Sequence, residues 1–247
     1  MTAEAAPLIT RIIEMETPDG PMPCYEAFPE GNGNRCGMIV IQEAFGVNSH
    51  IQEIARRLAA QGYHAVAPPL FHRTGGNPTI PYNRFDEVAK HLVALTDDGI
   101  LQDADAARHH LRAAQLDDGR TGVIGFCMGG RASFLVAARR RLGAAVSFYG
   151  GGIVTARSEK MPALIGGIPD LETPWLGLFG DLDESIPVGD IEKLRSALAE
   201  RATVDWDIVR YPDAAHGFNC DQRPSYHEPS ARDAWGRALE WFDAHLR

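Results

Sequence analysis

No two cysteines in this sequence lie close enough together to make a Cys-x-x-Cys pair. The four present, Cys24, Cys36, Cys127 and Cys220, are scattered through 247 residues. That spacing excludes a zinc ribbon and a thioredoxin-like dithiol, and no metal or other cofactor is expected. Basic residues are also scarce: 24 Lys and Arg stand against 33 Asp and Glu, for a net charge of −9. Nucleic acid and anionic membrane surfaces need a basic face, so neither is an expected partner. No apolar run approaches the ~18 residues of a membrane span. The opening Met1-Thr2-Ala3-Glu4 lacks the basic and then apolar stretches of a signal peptide. The expected compartment is the cytoplasm, with reduced thiols. Low-complexity linkers and internal repeats are missing too. Residues 1–247 therefore read as a single domain, a monomer or a small homo-oligomer.

With 45% hydrophobic and 23% charged residues, the chain can bury a sizeable core. Leu8–Glu16 and Met22–Phe28 flank Pro18-Asp19-Gly20 and predict an antiparallel hairpin. After the polar turn Gly31-Asn32-Gly33-Asn34, the unbroken apolar run Gly37–Ile41 predicts a strand covered on both faces. Ile51, Ile54, Ala55, Leu58 and Ala59 repeat with helical period, closed by Gly62. Further strands are expected at Tyr63–Ala67, Thr121–Phe126, Ala144–Phe148, Pro174–Phe179 and Val204–Tyr211. Helical segments are expected at Arg84–Gln115, Arg131–Arg139, Val188–Ala202 and Ser230–Leu246. This alternation predicts an α/β fold: a mostly parallel twisted sheet flanked by helices, with an N-terminal antiparallel hairpin. Two Gly/Pro-rich loops, 68–81 and 150–173, start at strand carboxyl ends, where open parallel sheets bind ligands.

The sharpest chemical signal is Gly125-Phe126-Cys127-Met128-Gly129-Gly130. It follows an apolar strand and precedes a helical stretch, as a nucleophile elbow requires. Small residues two before and two after the nucleophile permit the tight turn, and the helix N-terminus behind it favours a thiolate. A hydrolase elbow also needs an acid and then a histidine, each after a later strand. His216 alone of the nine histidines lies in a loop between a late strand and the last helix. His109, His110, His227 and His245 are expected at the surface. Asp181 and Asp183 both lie in the loop after the Pro174–Phe179 strand, and either can orient His216.

Together Gln42-Glu43-Ala44-Phe45-Gly46-Val47-Asn48, the elbow, Gly180–Pro187 and His216-Gly217-Phe218 resemble the dienelactone hydrolase (carboxymethylenebutenolidase) family of the α/β-hydrolase superfamily. The Gln-Glu-x-Phe-Gly motif is specific to that family, whereas the others are shared widely among α/β-hydrolases. The resemblance implies an α/β-hydrolase fold and cleavage of an ester or lactone. It makes Cys127 the nucleophile, His216 the base and Asp183 its orienting acid, with Asp183 three residues past Gly180 and four before Pro187. Glu43 is implied to contact the thiol at rest and to help form the thiolate. The backbone N–H groups of Ala44 and Met128 would form the oxyanion hole. The best-known members carry an arginine four residues after the histidine, where it helps hold a substrate carboxylate; this chain has Cys220 there. Arg73, Tyr82, Arg84 and Arg223 remain as sources of a cation or hydroxyl, and Phe45 as a further substrate contact.

The roles are chemically coherent. A free thiol with pKa near ~8.5 is mostly protonated at neutral pH and needs a proton acceptor. Two competing classes remain: a ligand- or partner-binding protein on a hydrolase fold without catalysis, and a thiol-based redox protein with Cys220 as resolving cysteine. The first has no need of an acid, a base and a nucleophile in order.

Overall fold

A computed structural model describes residues 7–31 and 36–246. The readings of Met1–Glu4 and of the turn at 32–34 lie outside those residues. Strands β1 (Leu8–Thr17) and β2 (Gly20–Pro29) form the expected hairpin, in antiparallel register from Leu8 opposite Pro29 to Thr17 opposite Gly20. The turn needs Gly20, whose φ is +105°. The remaining strands are β3 (Gly37–Ile41), β4 (His64–Ala67), β5 (Thr121–Phe126), β6 (Ala144–Phe148), β7 (Trp175–Gly180) and β8 (Trp206–Tyr211). All eight join one sheet in the order β1-β2-β4-β3-β5-β6-β7-β8. Only the pairings of β2 with β1 and β4 are antiparallel.

Every residue of β3, β4, β5, β6 and β7 is buried. That burial follows from helices packing on both faces, and it is why these strands read as continuous apolar runs. The helices are α1 (Ser49–Ala60), α2 (Ala89–Leu92), α3 (Asp97–Ala113), α4 (Met128–Arg139), α5 (Val188–Arg201) and α6 (Glu228–His245). None of the described helices is long and apolar enough to cross a membrane.

Element ends fall within about three residues of expectation, and two local features have physical reasons. The expected helical segments between Arg84 and Gln115 are short turns, α2 and then α3. Thr96 adopts extended backbone and accepts the N–H of Gly99 on its hydroxyl, so it caps α3 and separates it from the short turns before it. Helix α4 starts at Met128, not Arg131, because Gly129 and Gly130 let its first turn lie directly on the sheet. A Cβ on Gly129 would stand 2.4 Å from the Ile41 carbonyl oxygen, and one on Gly130 2.6 Å from that of Phe148.

The histidines expected at the surface divide. His109 is exposed, but His110 meets the buried Glu26, Nε2 to Oε1 at 2.5 Å, a pairing invisible along the chain. His227 and His245 are half-buried, against Ser230 and Trp241.

Strand order places the site. The chain leaves β3 through α1 to β4 on one side, while β5 flanks β3 on the other. The connections diverge at the carboxyl ends of β3 and β5, the place where open parallel sheets bind ligands. Glu43 follows β3 and Cys127 follows β5, so both stand at that edge of the sheet.

Candidate active site

Cys127 sits between the last residue of β5 and the first of α4, at φ +56° and ψ −116°. A non-glycine residue holds such a conformation only where its surroundings enforce it. Here the Cys127 N–H donates to the Phe148 carbonyl at 3.0 Å, and the Cys127 carbonyl accepts from Gly130 N–H at 2.9 Å. Gly125 is obligatory, since a Cβ there would come within 1.8 Å of the Gly129 oxygen. The turn leaves Cys127 and Met128 partly exposed between the buried Phe126 and Gly129.

His216 brings its Nε2 to 3.0 Å from the Cys127 sulfur and its Nδ1 to 2.6 Å from Asp183 Oδ2. Ser185 completes the acid: its N–H at 2.9 Å and its hydroxyl at 2.7 Å both donate to Asp183 Oδ1. Asp181 points elsewhere, gripped by Arg210 Nε and Nη2 at 2.7 and 2.8 Å. Burial would lower the affinity of His216 for a proton. The Cys127 sulfur and the Asp183 carboxylate outweigh it and push the pKa up to about 10. Asp183 shows the complementary balance: burial favours its neutral form, yet bonds from His216 and Ser185 hold it below the ordinary carboxylate range.

The carboxylate of Glu43 is fully buried. Its oxygens face Arg223 Nη1 at 3.4 Å and the Tyr82 hydroxyl at 3.3 Å, rather than the thiol as the family resemblance implied. The reason is solvation: a buried carboxylate needs charged or polar donors, and a guanidinium and a phenol supply two. Tyr82 also accepts from Asn48 Nδ2 at 3.1 Å and from Cys220 Sγ at 3.2 Å. The Arg223 guanidinium lies 5.7 Å from the Phe45 ring centroid and 5.6 Å from that of Tyr82. It also packs on the histidine loop, for a Cβ on Gly217 would stand 2.3 Å from Arg223 Nη1.

Ala44 is buried just past β3, and Met128 heads α4, where first-turn N–H groups have no partner within the helix. Phe45 and Tyr82 thus stand beside Glu43, with ring centroids 4.6 Å apart. Arg73 and Arg84 are not brought to this cluster. Arg73 forks onto Asp103 at 2.8 and 2.9 Å and reaches Asp19 at 2.6 Å, so its donors are spent joining the hairpin to α3. Arg84 lies at the surface against Asp86 and Glu87. Loop 150–173 contributes Ile153 and Val154 to a groove shared with Phe179, Ser185 and Ile186, beside the His216–Asp183 pair.

Sequence reasoning missed Ser185 and Tyr149. Tyr149 is fully buried at φ +39°, its ring 5.2 Å from that of His216, and its hydroxyl has no partner among the described residues. Its place directly after β6, at the edge where β5 ends in Cys127, was the available signal.

The dienelactone hydrolase family model matches residues 22–246. Proteins of Yersinia pestis and Escherichia coli strain K12, each named "Putative carboxymethylenebutenolidase", are 43% identical over 229 residues. The alignments cover 91% and 90% of this chain and 84% and 82% of those proteins. Among solved structures, one titled "Putative Dienelactone Hydrolase from Klebsiella pneumoniae subsp. pneumoniae MGH 78578" superposes with a TM-score of 0.87 at 37% identity, covering 96% of this chain and 99% of that one. With the family model spanning nearly the whole chain, this protein is a hydrolase and belongs to the dienelactone hydrolase family.

Proposed function

We propose that the protein cleaves a small ester or lactone by covalent catalysis through Cys127. The observation that carries this reading is the unbroken relay from Asp183 Oδ2 to His216 Nδ1, 2.6 Å, and from His216 Nε2 to Cys127 Sγ, 3.0 Å. Nucleophile, base and orienting acid stand within hydrogen-bond reach, as such chemistry demands.

The steps follow from the positions. His216 holds the thiol proton, and the thiolate attacks the substrate carbonyl carbon. The C=O electron pair moves to oxygen, where the N–H groups of Ala44 and Met128 stabilise it. Collapse of this tetrahedral species breaks the C–O bond, and the imidazolium of His216 protonates the leaving oxygen. A thioester on Cys127 remains. For a lactone, the alcohol stays tethered to the acyl group. His216 then takes a proton from water, the resulting hydroxide attacks the thioester, and the thiolate departs to leave a carboxylic acid. Throughout, Asp183 fixes the imidazole tautomer and stabilises its charged form.

Glu43, Arg223, Tyr82 and Phe45 form a second cluster, joined by the contacts of Glu43 with Arg223 and Tyr82 and by the packing of Arg223 and Tyr82 on the Phe45 ring. Arg223 is the cation of this cluster, its Nη1 3.4 Å from Glu43 Oε1, and its remaining N–H groups are the donors for a substrate carboxylate.

The test is pre-steady-state hydrolysis of an aryl ester. One equivalent of phenolate should appear in a burst, absent from Cys127→Ala, and mass spectrometry of the quenched enzyme should find the acyl group on Cys127. Steady turnover by Cys127→Ala at the wild-type rate would refute the covalent mechanism.

A further inference from the structure

Among the described residues, two clusters of histidine, cysteine and acidic side chains lie outside the Cys127–His216–Asp183 relay. In the first, under the hairpin, Glu26 has no vacancy. Its Oε1 meets His64 Nε2 at 2.6 Å and His110 Nε2 at 2.5 Å, and its Oε2 accepts from Arg11 at 2.6 Å. The carboxylate is satisfied, with three donors on its two oxygens.

The second cluster is different. His50 lies in the first turn of α1, and Cys220 and Asp221 in the loop after His216. A ring nitrogen, the sulfur and a carboxylate oxygen lie within 4.8 Å of one another. His50 is only 3% exposed, yet its Nε2 has no hydrogen-bond partner. A buried polar atom left unpaired in this way calls for a partner, an ordered water or an ion. Its Nδ1 stands 4.0 Å from Asp221 Oδ1, too far for a hydrogen bond, so Asp221 does not already satisfy the ring. The backbone around the cluster is pinned. Asn48 caps α1 through the N–H of Ile51, and Ser49 Oγ donates to Gln222 Oε1 at 2.9 Å.

We propose that His50, Cys220 and Asp221 form a binding site for a thiophilic divalent cation of the zinc class, with water as the fourth ligand. One imidazole nitrogen, one thiolate and one carboxylate are a donor set that zinc accepts and that magnesium or calcium does not. Ligand atoms around tetrahedral zinc sit about 3–4 Å apart, so the cluster has about 1 Å to close. Asp221, with its side chain 69% exposed, is free to make that movement and opens the site to solvent. Glu43, Asp221, Arg57 and Arg223 are the charged groups that face His50. Arg223 is paired with Glu43, and Arg57 lies over the Trp235 ring at 3.9 Å. The cation thus meets the negative charges of Asp221 and the Cys220 thiolate, with Glu43 offsetting Arg223 and Arg57 held over the Trp235 ring. Binding must release the Cys220 proton to solvent. That removes the Cys220 donor from the Tyr82 hydroxyl, which itself donates to Glu43. Occupancy is therefore felt at the edge of the candidate active site, although the inference does not rest on the proposed chemistry of Cys127.

The experiment uses the full chain carrying Cys127→Ala, so that the half-exposed thiol is absent. Cobalt(II) should give the near-ultraviolet charge-transfer band of thiolate ligation. Zinc should displace it one for one, with one proton released. Cys220→Ala in the same background should abolish the band, and His50→Gln should weaken zinc binding by about tenfold or more. Thermal unfolding checks each variant, with Cys220→Ser substituted should Cys220→Ala not fold. A cobalt spectrum without the thiolate band overturns the proposal. So does a zinc affinity that the loss of the Cys220 sulfur leaves within about twofold.

Discussion

Ser185 and Asp183 are joined twice through one oxygen: the N–H and the hydroxyl of Ser185 both donate to Asp183 Oδ1, which leaves Oδ2 to His216. The serine thereby sets the plane of the carboxylate and the lone pair offered to the imidazole. Ser185→Ala keeps the backbone donor and removes the hydroxyl. One charge-assisted hydrogen bond of several is lost, so kcat should fall about three- to tenfold with KM unchanged. Steady-state kinetics on an aryl ester checks this. An equal fall in kcat for Ser185→Ala and Asp183→Asn would contradict an auxiliary role.

The two aspartates of the acid loop should separate cleanly. Asp183→Asn removes the charge that stabilises the imidazolium and should cost on the order of 10²–10⁴ in kcat. Asp181 is held by Arg210 on the far side of the loop, so Asp181→Asn should cost about tenfold or less. Side-by-side rates on one ester, with thermal unfolding as the control for misfolding, decide the matter. If Asp181→Asn is the inactive folded variant, the assignments are reversed.

Much of this arrangement was legible because buried parallel strands write themselves as apolar runs. Thr121–Phe126 and Ala144–Phe148 begin and end where the pattern placed them, and the Gly-x-Cys-x-Gly turn between β5 and α4 needs glycines for contacts of 1.8 and 2.4 Å. Between Arg84 and Gln115 separate helical segments were expected, but the place of the break at Thr96 was not legible, since a capping threonine inside an amphipathic stretch looks like any polar helix residue. Nor were the partners of Arg73 and Glu43. Arg73 is spent on Asp103, 30 positions along the chain, and Glu43 faces Arg223, 180 positions away. Hydroxyls such as those of Ser185 and Tyr149 act through position alone and carry no periodic signal.

Thiol labelling tests the surroundings of the four cysteines. Cys24, Cys36 and Cys220 are buried, while Cys127 is half-exposed and beside His216. Burial, with the charges of Asp103 and Glu26, pushes the Cys24 thiol far up, and burial with Glu43 pushes Cys220 up to about 11. Both should be poor nucleophiles at neutral pH. Iodoacetamide should modify Cys127 at least about tenfold faster than any other cysteine, and activity should decline in step. Mass mapping of partly labelled protein checks the order. Full activity after complete labelling of Cys127 would exclude it as nucleophile.

The titration of His216 supplies the last prediction. Its pKa rises from 6.5 to about 10 in the folded chain; burial opposes the rise, and the Cys127 sulfur and Asp183 drive it. The folded state therefore binds this proton more tightly than the unfolded state. The stability gained is fully present below about pH 6.5 and is lost as pH climbs through 10. Thermal unfolding of the wild type should accordingly show a fall in Tm between those limits. Cys127→Ala removes the strongest upward influence, so its His216 should titrate lower, and its fall in Tm over that range should shrink. Asp183→Asn should act in the same direction through the other ring nitrogen. Activity should follow the same group. Protonation of the leaving oxygen needs the imidazolium, so kcat/KM of the wild type should hold through neutral pH and decline near pH 10. Histidine proton resonances against pH, recorded for wild type and Cys127→Ala, give the direct measurement. A His216 that titrates at the same pH in both would mean that the Cys127 sulfur does not raise the proton affinity of the imidazole.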